Sequence, residues 1–224
     1  SRCHERTGKI NLTAGSGGFA LTVAALIMAG GKGTRMGFIE KPLVSIDGKT
    51  MLERVVEALK GAAGVEEIFV ATSPNNLHTE ELAKNLGLKV IRTRGGDYVT
   101  DAQQAIRTLV PRAALVISAD LPLVSSILID DIINHYYECG KPSLKVVTST
   151  TGDGHEAKDG SHGTEKKESV RPAGMNIIDS RYIDEPVIDE AELLVNSKEI
   201  SVNINTPEDL EKISSKNRRS NTPR

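Results

Sequence analysis

The chain has 224 residues, of which 38% are hydrophobic, and this suits one α/β domain, or at most two small ones, around a sizeable core. Its formal net charge of −2 excludes a general attraction to nucleic acid or to an anionic membrane surface. No apolar run reaches the roughly 18 residues that span a membrane, and two widely separated cysteines, Cys3 and Cys139, do not indicate a disulfide framework, so we expect a cytoplasmic protein without membrane insertion.

From residue 23 onward, short apolar runs alternate with segments whose apolar residues recur at helical spacing. In chain order, the pattern predicts a strand over 23–28, an extended segment over 43–46, a helix over 51–60, a strand over 67–72, a helix over 79–86, a strand over 88–92, a helix over 99–109, a strand over 113–118, a helix over 126–138, a strand over 144–150, further apolar structure over 170–178 and a last strand over 199–204.

Local signals support several of these elements. Thr50 and Glu53 have the spacing of a capping box at the start of the helix over 51–60. Gly87 suits the position just after the helix over 79–86, where a left-handed residue is favoured.

Three segments lack the alternating pattern. Residues 1–22 are mostly polar and glycine-rich, so we expect a disordered leader or an extension foreign to the fold. Residues 151–169 contain no large apolar side chain and cannot offset the entropy of ordering. A flexible surface loop is therefore favoured over a metal cluster built from the histidines and aspartates of that segment. Residues 214–224 are expected to fray, which leaves a single domain over 23–213.

The alternation of strands and helices predicts a three-layer, Rossmann-like α/β fold, with a mostly parallel sheet and helices on both faces. Ligands of such sheets bind at the carboxyl ends of the strands. That rule selects the loops at 29–37, 73–76 and 119–123 as candidate ligand sites.

The first of these loops is rich in glycine and positive charge. Backbone N–H groups in such a loop can surround an anion, and Lys32, Arg35 and Lys41 add cations beside them. Gly33 stands where a Walker A loop needs Ser or Thr, and Met36 stands where a dinucleotide fingerprint needs its third glycine. A ligand-free glycine turn would not need the basic residues, so we expect a polyphosphate site.

Charged side chains give this site candidate chemical roles. Arg35 can grip a phosphate through two N–H donors, and Lys41 suits charge that develops at an α-phosphorus. The side chain of Lys32 either reaches the phosphates or faces water. Asp120 follows the strand over 113–118 and is expected to hold Mg²⁺, although a cap or turn role is the alternative.

Two other loops carry groups that could recognise a base or ribose. After the strand over 67–72 these groups are Ser73, Asn75 and Asn76, which otherwise form only a turn. Gly96 would let the backbone approach a flat ligand. A carboxylate at Asp97 or Asp101 would pair with the guanine N1–H and amino group, or else would cap the following helix.

Several motifs together resemble those of the archaeal GTP:adenosylcobinamide-phosphate guanylyltransferases. The motifs are Leu26-Ile-Met-Ala-Gly-Gly-Lys-Gly-Thr-Arg-Met-Gly37, Glu40-Lys-Pro-Leu43, Ala71-Thr-Ser-Pro-Asn75, Ser118-Ala-Asp120, Pro172-Ala-Gly-Met-Asn176 and Val202-Asn-Ile-Asn-Thr206. The likeness runs from about residue 24 to 210. The first motif is also shared with molybdenum-cofactor guanylyltransferases and sugar-phosphate nucleotidyltransferases.

The resemblance implies a nucleotidyltransferase fold and the transfer of GMP from GTP to adenosylcobinamide phosphate, while Mg²⁺ is the cofactor expected from Asp120. It points to Gly30, Gly31, Gly33, Thr34, Arg35 and Lys41 for the triphosphate, and to Gly174, Asn176, Asn203 and Asn205 for the nucleotide or acceptor cleft. Together with the loop candidates described above, the expected nucleotide-binding residues are Ala29, Gly30, Gly31, Lys32, Gly33, Thr34, Arg35, Ser73, Asn75, Gly96, Asp101, Gly174, Asn176, Asn203 and Asn205. Arg35, Lys41 and Asp120 would be catalytic, with Asp120 as the metal ligand. Asn203 and Asn205 stand where many relatives have a second metal-binding acid, so two-metal chemistry is not expected.

Two alternatives stay open at this point. The chain could transfer a nucleotide to another phosphorylated acceptor, such as molybdopterin or a sugar phosphate. It could instead be a nucleotide-binding module without turnover, which the intact Arg35, Lys41 and Asp120 argue against. The expected partners are GTP and adenosylcobinamide phosphate, with no nucleic acid, and a homodimer is compatible with the chain.

Overall fold

The computed structural model describes residues 21–31, 40–109, 113–149 and 170–201. The strands in these ranges are Val23–Met28 (β1), Ser45–Ile46 (β2), Lys49–Thr50 (β3), Val65–Thr72 (β4), Lys89–Arg92 (β5), Ala113–Ser118 (β6), Ser143–Ser149 (β7), Val170–Asp179 (β8) and Glu190–Leu194 (β9). The α-helices are Met51–Gly61 (α1), Leu77–Asn85 (α2), Tyr98–Ile106 (α3), Ser126–Cys139 (α4) and Lys198–Ser201 (α5), and short 3-10 turns cover Lys41–Leu43 and Ser180–Tyr182.

Seven strands form one sheet in the order β5-β4-β1-β6-β8-β7-β9. Strand β1 pairs in parallel with both β4 and β6, whereas β8 runs antiparallel to its two neighbours. Met28 is opposite Ala71 on one side and Ser118 on the other. The carboxyl ends of three central strands therefore meet at one edge, which confirms the predicted α/β fold with a mostly parallel sheet.

Alternate residues of the central strands face two separate apolar layers. In β1, Val23, Ala25 and Ile27 pack in one layer with apolar residues of α1, α2 and α4. Ala24, Leu26 and Met28 pack in the other layer with α3. Because both faces are covered, the strand is apolar along its whole length, and the prediction of helices on both faces is confirmed.

Local sequence signals fix several element boundaries. Strands β1 and β6 have the predicted bounds, and α1 begins after Thr50 with a complete capping box. The Thr50 hydroxyl accepts from the Glu53 N–H, and the Glu53 carboxylate accepts from the Thr50 N–H. Asp47 and Gly48 both have positive φ, of 51° and 82°, as a tight turn between β2 and β3 requires.

The prediction at the carboxyl end of the chain is wrong where it can be compared. Residues 199–204 were expected to form a strand because apolar residues alternate there, yet Lys198–Ser201 is a short helix. The Ser197 hydroxyl accepts from the Glu199 N–H, as an N-cap does, and Ile200 is fully buried in the core. Strand β9 was not predicted, because the charged residues in it resemble a surface segment.

Several predictions fall outside the described ranges. They concern most of the leader at 1–22, the loop at 151–169 and the tail at 214–224, so the domain boundaries stay predictions. Within the ranges that the structure describes, no helix is both long enough and apolar enough to cross a membrane.

Candidate active site

A cavity of about 370 Å³ lies at the carboxyl edge of the central strands. The residues that line it come from the ends of β1 and β6, from the start of α2 and from the 3-10 turn at Lys41–Leu43. They are Met28, Ala29, Gly30, Gly31, Lys41, Pro42, Asn76, Ser118, Ala119 and Asp120. The cavity thus brings together residues from all three loops that the sequence selected.

One cation and one anion face each other in this cavity. Lys41 Nζ lies 3.6 Å from Asp120 Oδ2, and the two side chains are 23% and 20% exposed. Pro42 is buried and holds the 3-10 turn that carries Lys41, while Asp120 follows the last residues of β6. The Ser118 hydroxyl donates to Asp120 Oδ1 at 2.5 Å. This bond leaves Oδ2 directed toward the cation.

The donor set around Asp120 fits one kind of divalent ion. Among the described residues, no group of three or more acidic, histidine or cysteine side chains could hold a metal. Mg²⁺ is commonly bound through one or two carboxylates, with phosphates and water as its other ligands. A single carboxylate beside this cavity therefore suits Mg²⁺ better than Zn²⁺, which prefers several nitrogen or sulfur ligands.

Asn76 fastens the beginning of the glycine loop. Its Oδ1 accepts from the Gly31 N–H at 3.0 Å, and its Nδ2 donates to the Gly31 carbonyl at 3.2 Å. The Ser73 hydroxyl donates to the same Oδ1 at 2.6 Å. Three groups that were candidates for contact with the nucleotide are therefore hydrogen-bonded to each other: the Ser73 hydroxyl, the Asn76 amide and the Gly31 N–H. The fourth candidate, Asn75, is exposed.

Glu40 fastens the other described end of that loop. Its carboxylate accepts from the N–H groups of His78 and Thr79 at 3.2 and 2.7 Å and from the Thr79 hydroxyl at 2.6 Å. Burial alone would raise the pKa of the Glu40 carboxyl, but the hydrogen bonds from Thr79 and His78 outweigh it and lower the pKa. Glu40 therefore stays ionised and caps α2.

The loop before α3 packs against the loop after β4. Gly95 has φ of 73°, and a Cβ there would lie 3.0 Å from the Ser73 Cβ, so only glycine allows this approach. Asp97 accepts from the Thr100 N–H at 3.0 Å and caps α3, which confirms the capping alternative for that residue. Hydrogen bonds from Thr100 lower the Asp97 pKa.

Asp101 is also turned toward its own loop. The side chain is buried, and Oδ1 accepts from the Gly96 N–H at 3.4 Å. Because that bond is long, it holds the Gly96 backbone only weakly. Gly96 and Asp101 are thus neighbours in space, as a shared role toward the base would need.

Tyr98 does not line the cavity but lies near enough to feel the charge of Asp120. It is the first residue of α3 and is 43% exposed. Burial raises the pKa of its phenol to about 12, and the negative charge of Asp120 adds to this shift. The phenol is therefore protonated near neutral pH and lies within electrostatic reach of the cavity. An isolated tyrosine at a helix start carries no spacing signal, so only the fold identifies it.

Strand β8 lies beside the turn that carries Asp120, although none of its residues lines the cavity. Gly174 has φ of 79°, and a Cβ there would lie 3.3 Å from Leu121 Cδ1 and 3.4 Å from Ser118 Cβ. Asn176, two residues after Gly174, is opposite Val116 of β6 and so lies further from the carboxyl edge of the central strands. Gly174 thus adjoins the Asp120 turn, whereas Asn176 is half-buried behind it.

The remaining predicted site residues lie outside the described ranges. They are Lys32, Gly33, Thr34, Arg35, Asn203 and Asn205. Their roles stay predictions, and the described part of the site consists of Gly30 and Gly31 facing the pair of Lys41 and Asp120. A small cavity with a glycine turn, a cation and a carboxylate can bind a metal-complexed phosphate chain.

Comparisons with known proteins agree with this chemistry. The model of the MobA-like NTP transferase domain matches residues 25–194. The chain is 34% identical over 191 residues to adenosylcobinamide-phosphate guanylyltransferase of Methanocaldococcus jannaschii, which covers 83% of this chain and 93% of that protein. It is 29% identical over 119 residues to a probable molybdenum cofactor guanylyltransferase of Thermococcus sibiricus, which covers 50% of this chain and 55% of that protein.

A solved structure has the same fold at low sequence identity. CMP:2-keto-3-deoxy-manno-octonic acid synthetase in complex with CTP superposes with a TM-score of 0.71 and 16% identity, and the match covers 89% of this chain and 99% of that one. At this identity the likeness concerns the fold alone.

Proposed function

We propose that this chain, a nucleotidyltransferase that belongs to the MobA-like NTP transferase family, transfers GMP from GTP to adenosylcobinamide phosphate. One observation carries the choice of substrates. The similarity to the M. jannaschii guanylyltransferase extends over 83% of this chain, whereas the similarity to the T. sibiricus protein extends over half of it. The longer match includes residues on both sides of the cavity.

The reaction would need little acid–base chemistry. An oxygen of the acceptor's phosphate attacks the α-phosphorus of GTP, a new P–O bond forms, and the bond between the α-phosphorus and the bridging oxygen breaks to release pyrophosphate. Because the acceptor phosphate is already ionised near neutral pH, no base has to remove a proton. The protein has to place the two reactants in line and stabilise the spreading charge.

Lys41 and Asp120 would have complementary roles in that reaction. The Lys41 ammonium would lie beside the α-phosphate and offset its negative charge. Asp120 would hold Mg²⁺, which when bound neutralises charge on the phosphates. The Ser118 hydroxyl, by donating to Oδ1, would keep the carboxylate oriented toward the cavity. Arg35 would grip the triphosphate, as its position in the family motif suggests.

Release of pyrophosphate tests this proposal. The protein is incubated with GTP, Mg²⁺ and adenosylcobinamide phosphate, and pyrophosphate and the GDP-linked corrinoid are measured. We expect product only when all three are present, with ATP and CTP being poor donors. Absence of turnover under conditions in which the M. jannaschii enzyme is active would overturn the proposal.

The same assay separates the alternatives. Turnover with molybdopterin in place of the corrinoid would indicate the reaction named for the T. sibiricus relative. Turnover with a sugar phosphate and CTP would point to a cytidylyl donor. GTP binding by calorimetry without turnover on any acceptor would indicate a binding module.

A further inference from the structure

The two described ends of the glycine loop are fastened to the same helix terminus. Gly31 is bonded to Asn76, the N-cap residue of α2, and Glu40 is bonded to the N–H groups of His78 and Thr79 in its first turn. Residues 32–39 connect Gly31 to Glu40 along the chain. The start of α2 is therefore a common anchor for the two ends of one loop.

The Asn76 side chain hydrogen-bonds to both backbone groups of Gly31, as the backbone of a neighbouring β-strand would. Its amide contacts both the N–H and the carbonyl of Gly31, and the side chain is only 1% exposed. The Ser73 hydroxyl fixes the amide by donating to Oδ1. Since buried polar groups lose their partners if Asn76 is shortened, the contact is costly to break.

Glu40 takes over the capping role that Asn76 leaves open. The Asn76 side chain makes no capping hydrogen bond to α2, because it is engaged with Gly31. The Glu40 carboxylate instead accepts the free N–H groups of the first turn, where the helix dipole favours negative charge. The amino end of α2 thus binds a carboxylate of the protein itself and not a phosphate of the substrate.

Helix α2 is also bonded to the sheet through Glu80. Glu80 in α2 is buried and forms two hydrogen bonds with Arg92 of β5, at 2.8 and 2.7 Å, and one with Lys84 at 2.6 Å. These bonds tie α2 to the edge of the sheet.

We infer that Asn76 and Glu40 are positioning residues that clamp Gly31 and the turn carrying Lys41 against α2, and so set the described part of the phosphate site. The inference rests on the proposed function, in which the cavity lined by Gly31 and Lys41 binds the triphosphate. Glu40 directly precedes Lys41, so its bonds to α2 also fix the cation that lies 3.6 Å from Asp120. Asn76 would govern mainly nucleotide binding, and Glu40 would govern mainly the rate of transfer.

Amide hydrogen exchange tests the clamp independently of any reaction. Asn76→Ala removes both contacts to Gly31, whereas Asn76→Asp keeps the acceptor oxygen for the Gly31 N–H. We expect exchange at the Gly31 amide to rise at least tenfold in Asn76→Ala, on the order of the loss of one buried hydrogen bond, and to rise less in Asn76→Asp. Glu81→Ala, a change at an exposed residue of the same helix, is the control. Unchanged exchange at Gly31 in Asn76→Ala would overturn the inference.

Kinetics test its consequence for the site. We expect Asn76→Ala to raise the KM for GTP about tenfold with a smaller change in kcat, and Glu40→Gln to lower kcat about fivefold with a smaller change in KM. Glu57→Gln, at an exposed carboxylate paired with Lys49, is the control for the second variant. Wild-type kinetics in both variants would contradict the clamp while leaving the proposed function intact. A wild-type protein without turnover would contradict the proposed function, and the exchange measurement would still decide the clamp.

Discussion

Lys41 and Asp120 come from segments far apart in the chain, yet their charged groups lie 3.6 Å apart across one cavity. The distance is beyond a hydrogen bond, and each side chain keeps about one-fifth of its surface exposed. A phosphate oxygen on Lys41 and a metal ion on Asp120 would be neighbours in this arrangement. Each of the two residues can therefore be tested for a separate role.

Replacement of Lys41 should affect the transfer step more than binding. We expect Lys41→Ala to lower kcat about 10²- to 10³-fold, the range seen when one donor to a transition-state anion is removed. The affinity for GTP, measured by calorimetry, should fall only about threefold, since we expect Arg35 to bind the phosphates as well. Lys60→Ala, in the last turn of α1 and exposed, should leave both quantities unchanged. Equal losses in kcat and affinity would favour a binding role.

Replacement of Asp120 should change the requirement for Mg²⁺. Asp120→Asn keeps the shape of the side chain but removes its charge. We expect the Mg²⁺ concentration at half-maximal rate to rise at least tenfold, on the order of losses seen at metal sites. A titration of pyrophosphate release against Mg²⁺ measures this. Asp184→Asn, at a surface carboxylate paired with Arg107, serves as the comparison, and an identical titration curve for both variants would remove Asp120 as the metal ligand.

A comparison of Gly174 with Gly87 distinguishes an effect of backbone strain on stability from an effect on the active site. Gly174 and Gly87 have φ of 79° and 73°, but a Cβ meets Leu121 and Ser118 at Gly174 and nothing within 4 Å at Gly87. Alanine at either position should lower the free energy of unfolding by about 1 to 2 kcal/mol, because both need left-handed φ. Only Gly174→Ala should also lower kcat, since the added methyl presses on the Asp120 turn. Full activity in Gly174→Ala would show that the turn tolerates displacement.

The fold was largely predictable because local and global signals agree along most of the chain. The fully apolar runs of β1 and β6 predicted central strands, and the Thr50–Glu53 spacing predicted the start of α1. The short helix at Lys198–Ser201 was harder to predict. Ile200 lies among alternating apolar residues, but its burial within a single helical turn depends on contacts that no short pattern reveals.

The chemistry of the site was less predictable than its location. Glycines and cations marked the cavity, and the parallel sheet explained why separate loops meet there. The sequence could not show that Asn76 bonds to Gly31, or that Glu40 caps a helix that begins far along the chain. Such contacts depend on tertiary geometry and leave no spacing signal.

Glu80 should contribute stability that depends on pH. Hydrogen bonds from Arg92 and Lys84 lower its pKa from 4.5 to about 2. A carboxyl whose pKa is depressed by folding stabilises the protein above the unfolded pKa, and this contribution is lost as the pH falls toward the folded value. We expect Glu80→Gln to lower the free energy of unfolding by about 1 to 2 kcal/mol near neutral pH, because solvent around Arg92 and Lys84 screens the pairs.

Chemical denaturation across pH measures this effect. The difference between wild type and Glu80→Gln should shrink as the pH falls from about 5 to about 2. Glu57→Gln, at an exposed carboxylate, is the control for the loss of a surface charge. A difference that stayed constant across this range would mean that the ion pairs of Glu80 do not stabilise the fold.

A crystal structure with GTP and Mg²⁺ tests the central claim most directly, because that claim concerns where the triphosphate binds. We expect density for the triphosphate in the cavity between Gly30 and the pair of Lys41 and Asp120, with the metal ion on the Asp120 carboxylate. Triphosphate density elsewhere on the molecule, with this cavity empty at saturating GTP, would contradict the account.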